Sequence, residues 1–225
     1  MRIALVADIH SNLQALEAVS EKIARAGADI TLCAGDIVGY GANPNECCRI
    51  AKAMAQRSVA GNHDLAALTK DTSSFNPFAA RAALWTADQL KHEEQAYLRS
   101  LNVAEKVEFR GIGIAIHHGS PSSVDEYVFE DGATQDLMEL AKAQVLVLGH
   151  THVPFVREYK GGMIVNPGSV GQPRDGNRRA SFAVLDLDEM RCTIERVDYD
   201  IGAASRAILE AGLPSVLARR LSSGI

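Results

Sequence analysis

Met1-Arg-Ile-Ala-Leu-Val-Ala-Asp-Ile-His-Ser-Asn-Leu-Gln14 opens the chain, and its reading decides the fold. Arg2–Ala7 is short, continuous and apolar, the pattern of a buried strand. Ser11 then offers an N-cap with Gln14 three residues on, a capping-box pattern. Leu13, Leu16, Val19 and Ile23 follow at helical spacing and Gly27 closes the helix. Asp8-Ile9-His10 is left at the junction of strand and helix.

The same rhythm continues outward. Asp29–Cys33 reads as a second strand, Asn43-Pro44-Asn45-Glu46 starts a helix running to about Gln56, and Arg57–Ala60 reads as a third strand. A βαβαβ order implies parallel strands with right-handed crossovers. Phe78–Leu90 and Glu93–Leu101 have the pattern of two further helices. The second half turns to strands: Val107–Arg110, Ile112–His117, Val145–Leu148, Val153–Tyr159, Met163–Val165, Phe182–Leu187 and Cys192–Val197. Lys160-Gly161-Gly162-Met163 marks a tight hairpin, and a closing helix is expected over about Ile201–Ala211. The expected fold class is α/β, a two-sheet sandwich with a parallel first half, a largely antiparallel second half and helices outside. With no repeat, low-complexity segment or linker, residues 1–225 read as one domain. Segment 71–101, with Phe75, Phe78 and Trp85, is read as a helical cap over the site, with plain outer-layer helices as the alternative.

Composition narrows the function classes. Hydrophobic residues at 47% and charged residues at 23% argue against a disordered or fibrous chain. The formal net charge of -5 and an aromatic content of 5% disfavour a nucleic-acid binder that works by charge and base stacking. The apolar start is too short for a signal peptide and is broken by Asp8. No stretch approaches the length of a membrane span. Cys33, Cys47, Cys48 and Cys192 form no CxxC pair; as buried free thiols they fit a reducing cytoplasm.

Six histidines stand at or near the C-terminal ends of strand-like runs: His10, His63, His117, His118, His150 and His152. Open α/β sheets place their ligands at such ends. Their neighbours are Asp8-Ile9-His10, Gly35-Asp36, Gly61-Asn62-His63-Asp64, His117-His118-Gly119 and Gly149-His150-Thr151-His152. In an extended chain, residues i and i+2 point to one side, so Asp8 with His10, and His150 with His152, are expected to pair. A lone cluster of this kind is weak. Five in order would be costly if left unmatched, and a pair of divalent cations is the economical compensation.

The series DxH, GD, GNHD, HG and GHTH resembles the calcineurin-like metallophosphoesterase family in order and spacing, over nearly the whole chain. Asp8-Ile-His-Ser-Asn-Leu, Gly35-Asp-Ile-Val-Gly-Tyr-Gly, His118-Gly-Ser-Pro and Asn166-Pro-Gly-Ser-Val-Gly-Gln-Pro-Arg look like its small bacterial and archaeal branch. Some members of that branch are associated with diadenosine tetraphosphate hydrolysis. The resemblance implies one metal on Asp8, His10, Asp36 and His152. It puts a second on Asp36, Asn62, His118 and His150, with Asp36 bridging. Mn²⁺ is placed first, with Fe or Zn²⁺ compatible with the same ligands. The implied reaction is hydrolysis of a small phosphate ester or anhydride by a metal-bridging hydroxide, a dinucleoside polyphosphate being one such substrate.

His63 is the candidate to protonate the leaving oxygen or stabilise its charge. Asn12, Ser169, Arg174 and Arg178 are read as substrate-binding, since arginine forks suit phosphate oxygens. The alternative for that loop is a solvated segment in which Asp175 pairs with one of the arginines. One departure matters. The protein-phosphatase branch has GDxVDRG, in which an aspartate partners the catalytic histidine; here Gly39 and Tyr40 stand in place of that aspartate and arginine. A phosphodiesterase or nuclease of the same fold, and a non-catalytic interaction module, are the competing readings.

Overall fold

The computed structural model describes residues 1–225. Its first half contains β1 (Arg2–Val6), α1 (Leu13–Ala26), β2 (Ile30–Cys33), α2 (Pro44–Met54), β3 (Arg57–Ser58), α3 (Asn62–Thr69), α4 (Pro77–Gln89) and α5 (His92–Arg99). The second half adds β4 (Ala104–Phe109), β5 (Ile112–His117), α6 (Gln135–Ala141), β6 (Val145–Val147), β7 (Phe155–Tyr159), β8 (Gly162–Asn166), β9 (Ala180–Asp186), β10 (Arg191–Val197), α7 (Ile201–Glu210) and α8 (Ser215–Ser223).

Two five-stranded sheets form, ordered β10-β9-β1-β2-β3 and β4-β5-β6-β8-β7. β1 explains why its sequence is continuously apolar. Ile3, Leu5 and then Ala7 enter a core between the sheets, where Leu32, Ile114, Ile116, Val145, Val147, Ala183 and Leu185 meet them. Ala4 and Val6 point the other way, into a core with Leu16 and Val19 of α1, Cys47 and Ala51 of α2, and Phe182 of β9. Strands buried on both faces lose the apolar–polar alternation. In the second sheet, Ala115 and Leu146 pack on Met138 of α6 while their neighbours face the inter-sheet core.

The two sheets do not follow the two halves of the chain. β9 returns to the first sheet and pairs antiparallel with β1, carrying β10 with it. In the second sheet β5, β6 and β8 are parallel, and only β4 and β7 run antiparallel beside them. The reason is burial: Phe182 and Val184 need helices on one side, and Ala183 and Leu185 need the second sheet on the other. The hairpin lies where expected, with Tyr159 opposite Gly162.

Three helices, α3, α6 and α8, occupy stretches that carried no clear helical pattern. The N-cap of α1 is also displaced by one residue: Asn12 Oδ1 accepts the Ala15 N–H at 3.2 Å. Ser11 stands outside the helix at φ 54°.

Candidate active site

Each strand that enters the site stops just before its chemical residues, and the backbone there turns left-handed. Asp8, His10, Ser11, Asp36, Tyr40, His150 and His152 all have φ between 49° and 66°. Side chains larger than glycine resist this region, and strained residues persist where surrounding structure over-determines them. Strand-like alternation therefore does not bring Asp8 to His10, or His150 to His152. Consecutive left-handed turns do, held by backbone bonds from Asp8 N–H to Gly35 O and from His10 N–H to Asp36 O.

Three overlapping groups of side chains converge: Asp8, His10 and His152; His10, Asp36 and His63; Asp36, His118 and His150. Within each group the candidate ligand atoms lie within 4.8 Å of one another, and all are buried. Asn62 Oδ1 joins the third group, 3.1 Å from His118 Nε2. His117 is half-buried at the end of β5 and belongs to none of them.

Hydrogen bonding fixes what these atoms offer. His10 Nδ1 donates to Val38 O at 3.1 Å, and His152 Nδ1 donates to Gln172 O at 2.6 Å. A ring nitrogen bonded to a carbonyl must carry the proton, so the other nitrogen of a neutral ring is a lone pair. Those two Nε2 atoms face each other at 3.0 Å. Burial holds both histidines well below the usual imidazole range, so neither supplies a proton to the other. Asp8 Oδ2, beside them, is buried with no partner at all. Burial pushes the Asp8 carboxyl up to about 7, with Asp36 adding to the rise against the pull of His118.

The other group has the same carbonyl bracing but a different charge state. His150 Nε2 donates to Asp125 O at 3.1 Å and His118 Nδ1 donates to Ala34 O at 2.8 Å. His150 Nδ1 and His118 Nε2 are then 3.2 Å apart, with Asp36 Oδ2 3.3 Å from His118 Nε2. Burial alone would depress His118, but the Asp36 charge and hydrogen bond outweigh it and lift the imidazole to about 10. Asp36 is likewise pushed up by burial, yet His118 and His63 hold it well below the carboxylate range. Two converging clusters of potential ligand atoms, with backbone carbonyls orienting the imidazoles from behind, suit two cations, the second of which would take the place of the proton that Asp36 holds on His118. The donor set of imidazole, carboxylate and amide, without thiolate, matches borderline or hard divalent metals.

His63 stands beside this cluster with its backbone N–H on Asp36 Oδ1 at 2.9 Å. Its Nδ1 is buried without a partner. Gly39, at φ +99°, packs against it so closely that a Cβ there would stand 2.5 Å from Nδ1. An aspartate at position 39 has no room while the ring stays in place. Asp64, three residues into the GNHD motif, is instead turned to the backbone and accepts the N–H groups of Gly61 and Val38, each at 3.0 Å.

The four residues read as substrate-binding separate. Arg174 lines the cleft and bonds the Tyr40 hydroxyl and Gln172 Oε1, each at 3.2 Å. Asn12 does not face the cleft's substrate side: its amide donates to Gly171 O and its oxygen caps α1. Ser169 is also taken up by the backbone, donating to Asp8 O and accepting from Gln172 N–H. Arg178 is exposed and outside the cleft lining. Asp175 pairs with Arg196 and not with an arginine of its own loop.

Sequence reasoning missed Asp125 and Tyr127, named Phe75 only as part of a cap over the site, and gave Tyr40 no role there. Tyr40 has its ring 4.5 Å from His10 and 4.4 Å from His63, under the Arg174 guanidinium. Phe75 lies 4.5 Å from His63, and Tyr127 lies 4.0 Å from His150. Ser74–Ala79 supply one wall of a cleft of about 270 Å³, whereas α4 itself packs with α7 and α8.

Residues 1–190 match the calcineurin-like phosphoesterase superfamily domain. An uncharacterized protein of Methanocaldococcus jannaschii is 38% identical over 240 aligned residues, spanning 99% of this chain and 98% of that one. A metallophosphoesterase of known structure from Sphaerobacter thermophilus is 36% identical, with a TM-score of 0.87 over 100% of this chain and 99% of that one. The phosphodiesterase YfcE of Escherichia coli is 28% identical over 191 residues, 84% of this chain and 89% of that one.

Proposed function

The chain belongs to the calcineurin-like phosphoesterase superfamily, a family of metal-dependent phosphoester hydrolases, and from that premise we propose that it hydrolyses a small phosphate ester or anhydride at a two-metal site. Asp8, His10, Asp36 and His152 would hold one divalent cation, and Asp36, Asn62, His118 and His150 the other. Mn²⁺ is our first choice of metal, with Fe or Zn²⁺ compatible with the same donors. When bound, such a pair polarises a phosphoryl oxygen and makes a water nucleophilic near neutral pH.

The observation that carries this reading is the buried pair of facing lone pairs on His10 and His152, beside an unpartnered Asp8 oxygen. A structural core would not leave two buried lone pairs facing each other at 3.0 Å with a carboxylate oxygen, Asp8 Oδ1, 3.7 and 3.9 Å away. Arg174, the cation lining the cleft, would bind phosphate oxygens from the side opposite its Tyr40 contact. His63 would meet the leaving oxygen. Room on both sides of Asn62 favours a diester: the 270 Å³ cleft adjoins a second hollow of about 150 Å³, and Asn62, Ser74, Phe75 and Asp125 line both. A non-catalytic module has no comparable need for this acceptor set or for His63 in the cleft.

No helix is long and apolar enough to cross a membrane. The free thiols Cys33, Cys47, Cys48 and Cys192 support placement in a reducing cytoplasm. Metal analysis of the purified protein, followed by hydrolysis assays from p-nitrophenyl esters to dinucleoside polyphosphates, tests the proposal. Two tightly held metals with metal-dependent turnover are expected; neither metal uptake nor turnover on any ester would overturn it.

A further inference from the structure

The chain has one Trp, five Tyr and six Phe, and most of these rings are buried or half-buried. Its well-exposed aromatic rings are Tyr127 at 54%, Phe129 at 47% and Phe78 at 46%. All three belong to the two segments that wall the cleft. Tyr127 stands in the irregular stretch between β5 and α6, with Phe129 stacked behind it at 6.2 Å and 13°. Phe78 lies in the same segment, between the lining residues Asn76 and Ala79, without itself lining the cleft. Scattered exposed apolar residues need no explanation, but an exposed ring in the lining of a polar cleft, with a second ring stacked on it, marks a binding surface.

Tyr127 is held ready. The carbonyl of Asp125, two residues earlier, accepts from His150 Nε2, and the Tyr127 ring covers the face of the same imidazole. The loop is braced upstream, where Ser120 Oγ accepts the N–H groups of Ser122 and Ser123 and donates to Glu126. A ring fixed this way, with more than half of the residue exposed, offers its free surface at little further cost in ordering. Phe75, tilted at 41° against the His63 ring, lines the same cleft from the α4 side. The cleft therefore has a polar floor at Asp36 and Asn62, a cation at Arg174 and aromatic rings at both flanking segments.

Building on the phosphoesterase reading above, we infer that Tyr127, with Phe75, is the specificity-determining element of the site and selects phosphodiesters whose retained arm carries a planar aromatic ring. That ring can be a nucleobase or a simple aryl group, since stacking is tolerant of ring identity. Two flanking rings suffice for one planar group, which agrees with a chain too poor in aromatics to track a nucleic-acid strand.

The test uses three diesters with the same p-nitrophenolate leaving group and different retained arms: thymidine 5′-p-nitrophenyl phosphate, phenyl p-nitrophenyl phosphate and methyl p-nitrophenyl phosphate. The wild-type kcat/KM should favour both ring-bearing arms over methyl by about tenfold or more. Tyr127→Ala should erase that preference, its kcat/KM loss being several-fold larger on the ring-bearing arms than on methyl, and Tyr127→Phe should preserve it. An equal loss on all three diesters would show that Tyr127 acts through His150 and overturn the inference. A Phe variant as impaired as the Ala variant would assign the effect to the hydroxyl and overturn it equally. A preference for thymidine without one for phenyl would place the contact on the sugar instead of the ring, which also overturns it. Calorimetric binding of phenyl phosphate against methyl phosphate separates the two readings. A protein that hydrolyses none of the diesters yet prefers phenyl phosphate fails as a phosphoesterase and keeps its aromatic subsite.

Discussion

Asp36 touches both groups of acceptors: its Oδ2 lies 3.5 Å from His10 Nε2 and 3.3 Å from His118 Nε2. Asp36→Asn keeps the shape and removes the one charge both cations would share. Metal content should fall, and turnover should drop by more than the roughly 10–100-fold typical of losing an outer-shell partner; two metals retained with normal turnover would show that Asp36 is not the bridge. His63 poses a different question. No carboxylate bonds its ring, its Nδ1 is unpartnered, and burial, opposed only by the nearby Asp36 charge, pushes it down to about 4. At neutral pH the ring is thus uncharged, and it can offer the leaving oxygen a hydrogen bond but not a ready proton. His63→Ala should keep both metals and lose about 10²–10³-fold in turnover, the usual cost of one donor to a developing oxyanion. Alkyl and p-nitrophenyl esters should lose within about tenfold of each other. A loss confined to the alkyl esters would mark His63 as a true general acid. The convergence of the proposed ligands was legible in the sequence because each follows a strand end. The rim was not, because nothing in residue spacing connects Tyr127 to His150 or Phe75 to His63; those contacts arise only when loops from both sheets meet.

At the scale of elements, strands were easier to read than helices for a packing reason. β1, β6 and β9 are buried on both faces, so their composition declares them whatever their partners. Which sheet β9 joins depends on what covers each face, a tertiary fact absent from the run Phe182–Leu187 itself. The helix α3 was hidden for the opposite reason: its first turn carries Asn62, His63 and Asp64, chosen for the site and the backbone, at the cost of any apolar stripe. The cap of α1 shows how close a local reading can come and still miss. Ser11 and Asn12 are both good N-caps, and only the left-handed turn at His10 and Ser11 decides for Asn12. Asn12 also ties α1 to the loop after β8 through Gly171 O at 2.8 Å. Asn12→Ala should therefore cost about 0.5–2 kcal/mol for the cap, with a further loss for the Gly171 bond. Ser11→Ala should cost less, because its buried hydroxyl has no hydrogen-bond partner. Urea unfolding of the two variants checks the order; a larger loss for Ser11→Ala would reverse the assignment of the cap.

Across the whole molecule, the acceptors come from both sheets. Asp8, Asp36 and Asn62 follow β1, β2 and β3, while His118, His150 and His152 follow β5 and β6. The apolar core between the sheets holds them together from one side, yet at the sheet edge it leaves buried lone pairs opposed to one another. That opposition is a cost carried by the folded state alone, since in the unfolded chain every one of these groups is solvated. Cations that bind the folded arrangement remove the cost and add their binding free energy. At a free concentration a hundred times Kd this is about 2.7 kcal/mol per site. For a chain of this length each kcal/mol moves the melting temperature by about 2–4 °C. Two filled sites should therefore raise Tm by roughly 10–20 °C over the chelated protein. The rise should grow with the logarithm of Mn²⁺ concentration once the sites are filled, because linkage continues past saturation. Asp36→Asn should flatten that dependence without unfolding the protein, since it removes a shared ligand and leaves the inter-sheet core untouched. A melting temperature indifferent to Mn²⁺, Fe²⁺ and Zn²⁺ in the wild type would mean that the facing imidazoles are reconciled without a cation, and the two-metal reading would fall with it.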